Sequence, residues 1–344
     1  MLTIDGSMGE GGGQVVRSSL ALSLVTGTPF RIDKVRAGRK RPGLMRQHLT
    51  AVQAAAAVGG ARVTGAEIGA QCFTFEPGAV QAGEHRFAVG TAGSATLVLQ
   101  TVLPALLVAG GPSRLTLEGG THNPMAPPFD FIAEAFLPLI ARMGARCTAT
   151  LERPGFYPAG GGRFTVEVTP VAEELIPFAL LERGEVKRRE ARALVAHLPR
   201  SIAEREARKV RDLLNWPEDE VRTDLDRSST GPGNCVIVKI GSEYVTEVFS
   251  SFGTKGIKAE NVAKAAADEV KRYIATDVPV GVHLADQLLI PLAMAGAGRF
   301  RTLAPTRHTL TNAEVVQTFL PHVHIDITQE EEGARTWSVR VHSS

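Results

Sequence analysis

Three stretches of the 344-residue chain follow one plan, and that plan limits the fold more than any other feature. They read GEGGGQVVRSSLALSLVTGTPFRIDKVRAG, GTAGSATLVLQTVLPALLVAGGPSRLTLEGGT and GVHLADQLLIPLAMAGAGRFRTLAPTRHTLT. Each opens on small residues, runs on as an amphipathic helix, stops at glycine and continues in a β-type pattern. In the first, Val16, Leu20 and Leu24 recur at helical spacing, Gly27 ends the run, and PFRIDKV alternates as a half-buried strand does. A second helical run follows each: GLMRQHLTAVQAAAAVG, FDFIAEAFLPLIARMG and TNAEVVQTFLP. The first two units lie roughly 80 residues apart, which is the size of a small α/β unit and too long for a solenoid repeat.

The third unit is delayed. Residues 184–277 separate it from the second and differ in character, with dense charge in RGEVKRREARALVAHLP and then the helical run SIAEREARKVRDLL. There Ser201 and Glu204 have capping-box spacing, and Ala203, Ala207, Val210 and Leu214 make one apolar face. The runs NCVIVKIG and EYVTEVFS and the helix AENVAKAAADEVKRYI complete it. The expected organisation is an α/β protein with a large body, residues 1–183 and 278–344, interrupted by a smaller inserted domain, residues 184–277.

Hydrophobic content of 44% and charged content of 22% are those of an ordinary globular protein. A net charge of +2 gives no strong overall field, so a nucleic-acid partner needs a local basic patch. Cys72, Cys147 and Cys235 are odd in number and far apart, which argues against a disulfide framework or a zinc site. The apolar stretch ATLVLQTVLPALLVAGG contains Gln100 and Pro104 and is short for a membrane span. No targeting pattern opens the chain, and a cytoplasmic protein with no membrane partner is expected.

Five places can carry chemistry. GEGGGQVVR puts glycines before a helix, where backbone amides can meet an anion; it holds Glu10, Gln14 and Arg17, yet matches neither a P-loop nor a dinucleotide fingerprint. It reads either as a phosphate cradle or as a tight turn. RAGRKRPGLMRQH gathers Arg36, Arg39, Lys40, Arg41 and Arg46, suited to a terminal phosphate or an RNA backbone, or merely to solvent. THNPMAPPFDF is a proline-stiffened loop with Phe131, able to face a flat ligand. VHLADQ opens a helix with Asp286 and Gln287. His308, in RHTLTN, matters only if packing of the repeats brings their loops together.

Taken together, DGSMGEGGGQVVRSSLALS, RAGRKRPGLMRQHLTAV, GSATLVLQTVLPAL, GGTHNPMAPPFDFI, GFYPAGGG and LADQLLIPLAMAGAG with HTLTN resemble the RNA 3'-terminal phosphate cyclases, in order along essentially the full chain. The resemblance implies three βαβαββ units, like the C-terminal domain of translation initiation factor three, with an inserted thioredoxin-like α/β domain. It implies ATP-dependent conversion of an RNA 3'-phosphate to a 2',3'-cyclic phosphate through a histidine-AMP intermediate. By the same resemblance His308 is the nucleophile and Glu10 serves Mg2+ or Mn2+. Arg17, Arg36, Arg39 and Gln47 contact phosphates of ATP or of the RNA 3'-phosphate end. Gln100, Pro127, Phe131, His283, Leu284, Ala285, Asp286 and Gln287 form the adenosine pocket.

Two departures stand out. His283 occupies a position where one relative in the family carries a tyrosine that stacks on adenine, and Arg153-Pro154 precedes the GFYPAGGG glycines where a basic residue and histidine are usual. Two rival readings are a cyclase-like ribosome-assembly protein, which would lack the histidine, and an enolpyruvyl-transferase-like enzyme built from similar units. His308 in its HTLTN context argues against the first, and only the repeat architecture speaks for the second.

Overall fold

The structure is a computed structural model that describes all 344 residues. The first unit runs β1 (Leu2–Asp5), α1 (Gly13–Thr26), β2 (Phe30–Asp33), α2 (Arg46–Gly59), β3 (Arg62–Thr64) and β4 (Phe73–Glu76). Helix α1 stops where the sequence indicates, because Gly27 adopts φ +67°, which lets the chain turn out at no steric cost. Phe30 and Ile32 point into the core from alternate positions of β2.

The second unit runs β5 (Gly83–Ala88), α3 (Ala95–Leu106), β6 (Ser113–Gly119), α4 (Phe129–Phe131), a π-turn (Ile132–Phe136), α5 (Leu137–Arg142), β7 (Arg146–Arg153) and β8 (Gly162–Thr169). After β9 (Ala179–Leu180) comes the segment β10 (Val186–Ala196), α6 (Arg200–Leu214), β11 (Val221–Asp226), β12 (Gly233–Ser242), β13 (Thr246–Phe252) and α7 (Ala259–Ile274). The chain closes with α8 (Val282–Met294), β14 (Ala297–Leu303), α9 (Arg307–Phe319), β15 (Val323–Gln329) and β16 (Thr336–Ser343). This is the mixed α/β class expected.

Three of the four sheets share one strand order: β1-β2-β4-β3, β5-β6-β8-β7 and β9-β14-β16-β15. In each the first pair is parallel and the rest antiparallel. Their helices pack on one another, α1 against α2, α3, α8 and α9, so α1 lies at the centre of the helical layer.

In the fourth sheet, β11-β10-β12-β13, the central strand β12 is buried on both faces. Ala191, Ala193 and Val195 of β10 join a small core under α6 and α7, whereas Leu194 and Ala196 join the main core. Two-residue alternation thus serves two cores at once. The capping box expected at Ser201 does not form. Helix α6 starts two residues earlier, at Arg200 after Pro199, with no side-chain cap, and Glu204 pairs instead with Arg200 at 3.0 Å. Ser201 therefore lies inside the first turn, exposed. No helix is long and apolar enough to cross a membrane.

Candidate active site

The glycine loop before α1 is shaped by close contacts. At Gly12, the residue capping α1, a Cβ would strike the Glu10 carboxylate and the Arg39 guanidinium, which form an ion pair directly above it. Only glycine lets that pair sit on the helix end. The Glu10 amide donates to Thr311 Oγ1 of α9 at 3.1 Å, so the loop is tied to the third unit.

Polar residues one turn apart on two helices then meet. On α1 these are Gln14 and Ser18, and on α9 they are His308 and Asn312. His308 Nδ1 lies 2.7 Å from Gln14 Oε1. Gln14 Nε2 donates to Asp286 Oδ1 of α8 at 2.5 Å, and Gln287 Nε2 donates to Asp286 Oδ2 at 2.9 Å. Asn312 Nδ2 donates to the Asp286 carbonyl at 2.9 Å, and its Oδ1 accepts from Ser18 Oγ at 2.7 Å.

The chemistry of His308 follows from this chain. An ionised carboxylate only accepts hydrogen bonds, so Asp286 orients the Gln14 amide with its nitrogen inward and its oxygen toward the imidazole. The histidine must then carry its proton on Nδ1, leaving the Nε2 lone pair free on an exposed ring. Burial pushes the Asp286 carboxyl above its ordinary range, and His308, Gln14 and Arg17 oppose that push.

Beside this triad lies a cationic patch. Arg17 is half-buried and makes no hydrogen bond to the protein; burial lowers its pKa, with Asp286 and Glu10 acting against the shift. Arg36 donates to the carbonyls of Arg41 and Gly43 at 2.9 and 2.8 Å. His48 accepts the Met45 amide on Nδ1 at 3.2 Å and is pushed down to about 3 by burial and then by Arg36 and Arg17, so it stays neutral. Three guanidiniums against the carboxylates of Glu10 and Asp286 leave an excess of positive charge with an unsatisfied fork, which suits a phosphate. No group of three or more His, Cys, Asp or Glu side chains comes together that could hold a metal by itself.

The whole-chain comparisons now decide the family. Residues 8–327 match the family model described as RNA 3'-terminal phosphate cyclase. The chain belongs to the RNA 3'-terminal phosphate cyclase family. Relatives named RNA 3'-terminal phosphate cyclase include one from Koribacter versatilis (strain Ellin345), 52% identical over 97% of this chain and 94% of its own length. Another, from Ralstonia nicotianae (strain ATCC BAA-1114 / GMI1000), is 49% identical over 97% of this chain and 95% of its own. A solved structure, the enolpyruvyl transferase NikO from Streptomyces tendae, is 13% identical and superposes with a TM-score of 0.36, covering 98% of this chain and 48% of that one. That likeness carries no argument.

Placed on this cyclase-family fold, the residues singled out in the sequence separate into groups. Gln14, Arg17, Gln100, Asp286 and Gln287 line one cleft between α1, α3 and α8, where the amides of Gln100 and Gln287 touch. Gln47 lines a neighbouring groove and accepts the Ser94 amide at 3.1 Å. Pro127 lies beside the start of α3, its carbonyl accepting from Thr96 Oγ1 at 2.8 Å. Phe131, Leu284 and Ala285 are buried in the main core. His283 is largely exposed and lies 3.9 Å from Glu269 of the fourth-sheet segment, which is the first cause raising its pKa. Sequence reasoning passed over Ser18, His48 and Asn312. The polar i, i+4 pairs on α1 and α9 were the signal available.

Proposed function

We propose that this protein converts an RNA 3'-terminal phosphate to a 2',3'-cyclic phosphodiester at the expense of ATP, through a covalent adenylate on His308. The observation that carries the reading is the Asp286–Gln14–His308 chain, which leaves His308 Nε2 as the free ring nitrogen, with Arg17 in the cleft that Gln14 and Asp286 line. A phosphate monoester does not cyclise unaided, because an unactivated phosphate oxygen is a poor leaving group; AMP must be attached first.

The steps balance. His308 Nε2 forms a bond to the α-phosphorus of ATP and pyrophosphate departs. An oxygen of the RNA 3'-phosphate then attacks that phosphorus, the P–N bond breaks, and an RNA-phosphate-AMP anhydride forms. The vicinal 2'-hydroxyl attacks the phosphorus of the RNA 3'-phosphate, loses its proton, and the anhydride P–O bond breaks to release AMP. Nucleophile and electrophile share one ribose, so the last step needs positioning more than activation. Arg17, Arg36 and Arg39 bind the phosphates, and Gln47 reaches the RNA end. Adenosine lies against Pro127 and the α8 start with Gln100, Asp286 and Gln287, and the Gln100–Gln287 contact must part to admit it.

Glu10 is the residue that would hold Mg2+ or Mn2+. One carboxylate fits such an ion only together with phosphate oxygens, and that ion neutralises phosphate charge when bound. A cytoplasmic setting, where ATP and RNA are available, belongs to the same reading.

The deciding experiment incubates the protein and His308→Ala with α-labelled ATP and a divalent metal, followed by denaturing separation. An acid-labile, alkali-stable AMP adduct in the first and not in the second supports the reading. With no adduct in either and RNA binding intact, the covalent mechanism fails.

A further inference from the structure

The GFYPAGGG loop between β7 and β8 has no part in the chemistry above, yet it is held with unusual firmness. Gly155 N–H donates to Thr121 Oγ1 at 2.9 Å, and the Gly155 carbonyl accepts the amides of Thr121 and His122 at 2.9 and 3.0 Å. Arg153 Nε donates to the Gly161 carbonyl at 2.7 Å, and Thr230 of the fourth-sheet segment donates to the Gly160 carbonyl at 3.0 Å. Gly160 adopts φ +69°, and a Cβ there would lie 2.7 Å from the Thr91 carbonyl, so the loop is flush against the turn before α3. Phe156 is buried, its ring 5.5 Å from that of His122. The next side chain, Tyr157, is 68% exposed.

A rigid loop thus holds a tyrosine ring in solvent at the mouth of a groove of about 630 Å³. The groove is lined by Gln47, Thr91, Asn123, Tyr157 and Thr254, among others. Asn123 is 7% exposed, donates to the Ala92 carbonyl at 2.5 Å, and has an Oδ1 with no hydrogen-bond partner. Gln47 joins this groove to the phosphate patch, since the next residue, His48, approaches Gly13 and Arg17 at the start of α1. Beyond Thr254 the exposed Lys255 and Lys258 face solvent.

From this we infer that the groove is a subsite for the RNA strand upstream of its 3'-terminal nucleotide, with Tyr157 as the platform on which one base stacks. The inference rests on the function proposed above and adds to it a substrate contact outside the reacting phosphate. Stacking on a fixed aromatic ring tolerates every base, because all have a π-face, and the lysines favour the backbone. The enzyme would therefore favour a strand over a lone nucleotide without reading sequence.

The test is equilibrium binding, without ATP, of a fluorescent single-stranded RNA ending in a 3'-phosphate, to the wild type, Tyr157→Ala and Tyr157→Trp. Tyr157→Ala is expected to weaken binding about tenfold, and Tyr157→Trp to restore it. An abasic residue is then walked through the last three positions. At one of them wild-type binding should fall about tenfold while Tyr157→Ala loses nothing further. Self-adenylylation by ATP should be unchanged in both variants. Equal binding by wild type and Tyr157→Ala overturns the subsite alone, as does a loss in Tyr157→Ala that persists at every abasic position. A wild type that does not prefer 3'-phosphate RNA to 3'-hydroxyl RNA overturns the proposed function and the subsite with it.

Discussion

His308 and Gln14, 294 positions apart in the chain, meet at 2.7 Å between the imidazole Nδ1 and the amide oxygen. The amide cannot turn over while its nitrogen donates to Asp286, so a carboxylate that never touches the imidazole decides which ring nitrogen is free.

Gln14→Ala removes this restraint without touching the nucleophile. Adenylylation of His308 should slow by about 10- to 100-fold, as is usual when a group orienting a functional histidine is removed. Single-turnover formation of the AMP adduct measures it, and His308→Ala should give no adduct at all.

Asp286 brings a pH dependence. Burial pushes its carboxyl above the ordinary range, and the ionised form is the one that orients Gln14. As pH falls through that raised value the carboxyl takes up a proton, the amide is released, and the adenylylation rate drops. The acidic limb should therefore lie above the ordinary carboxylate range near 4. Asp286→Asn should lack the limb and run about 100-fold slower at neutral pH. A pH–rate profile of the two proteins checks both points.

Arg17 pays a desolvation penalty with no protein hydrogen bond in return. Arg17→Met should leave the ligand-free melting temperature unchanged or raise it, because a partly desolvated charge that makes no hydrogen bond destabilises. Pyrophosphate should stabilise the wild type, by about 2.7 kcal/mol at a hundred times Kd, and leave the variant unmoved. Thermal melts with and without the ligand compare them.

Glu206 lies fully buried in the small core, where Asn234 donates to one of its oxygens at 2.8 Å and the other has no partner. Burial pushes its carboxyl up to about 7. The folded value lies above the unfolded one, so its contribution is fully present below the unfolded pKa near 4.3 and lost as pH rises through about 7. Glu206→Gln should be more stable than the wild type at pH 8 to 9, by up to about 3 kcal/mol. The difference should fade toward pH 5, as denaturant unfolding at several pH values would show.

Much of the fold was legible because its signals are local. Gly27 closes α1, Phe30 and Ile32 alternate along β2, and the apolar spacing of α1 survives intact. Where a local pattern faced tertiary competition it lost. The Ser201–Glu204 spacing is sound as a cap, yet Arg200 takes Glu204, and α6 begins at Arg200 with Pro199 in the capping position. The surroundings of His283 were not legible at all: its ring lies near Glu269 because α8 begins against the fourth-sheet segment. Asn312 was passed over because its burial comes only from the packing of α9 in the folded protein.

Residue type and spacing alone pointed to the helices and strands, the glycine loop and the arginine cluster, since backbone preference, periodicity and side-chain chemistry act over a few residues; His308 was singled out as nucleophile only by the family resemblance. The tertiary structure decided which imidazole nitrogen is free, which guanidinium lacks a partner and which tyrosine stands in solvent. Those properties depend on hydrogen bonds and burial between α1, α8 and α9 and across the groove, and such contacts exist only once the helices have docked.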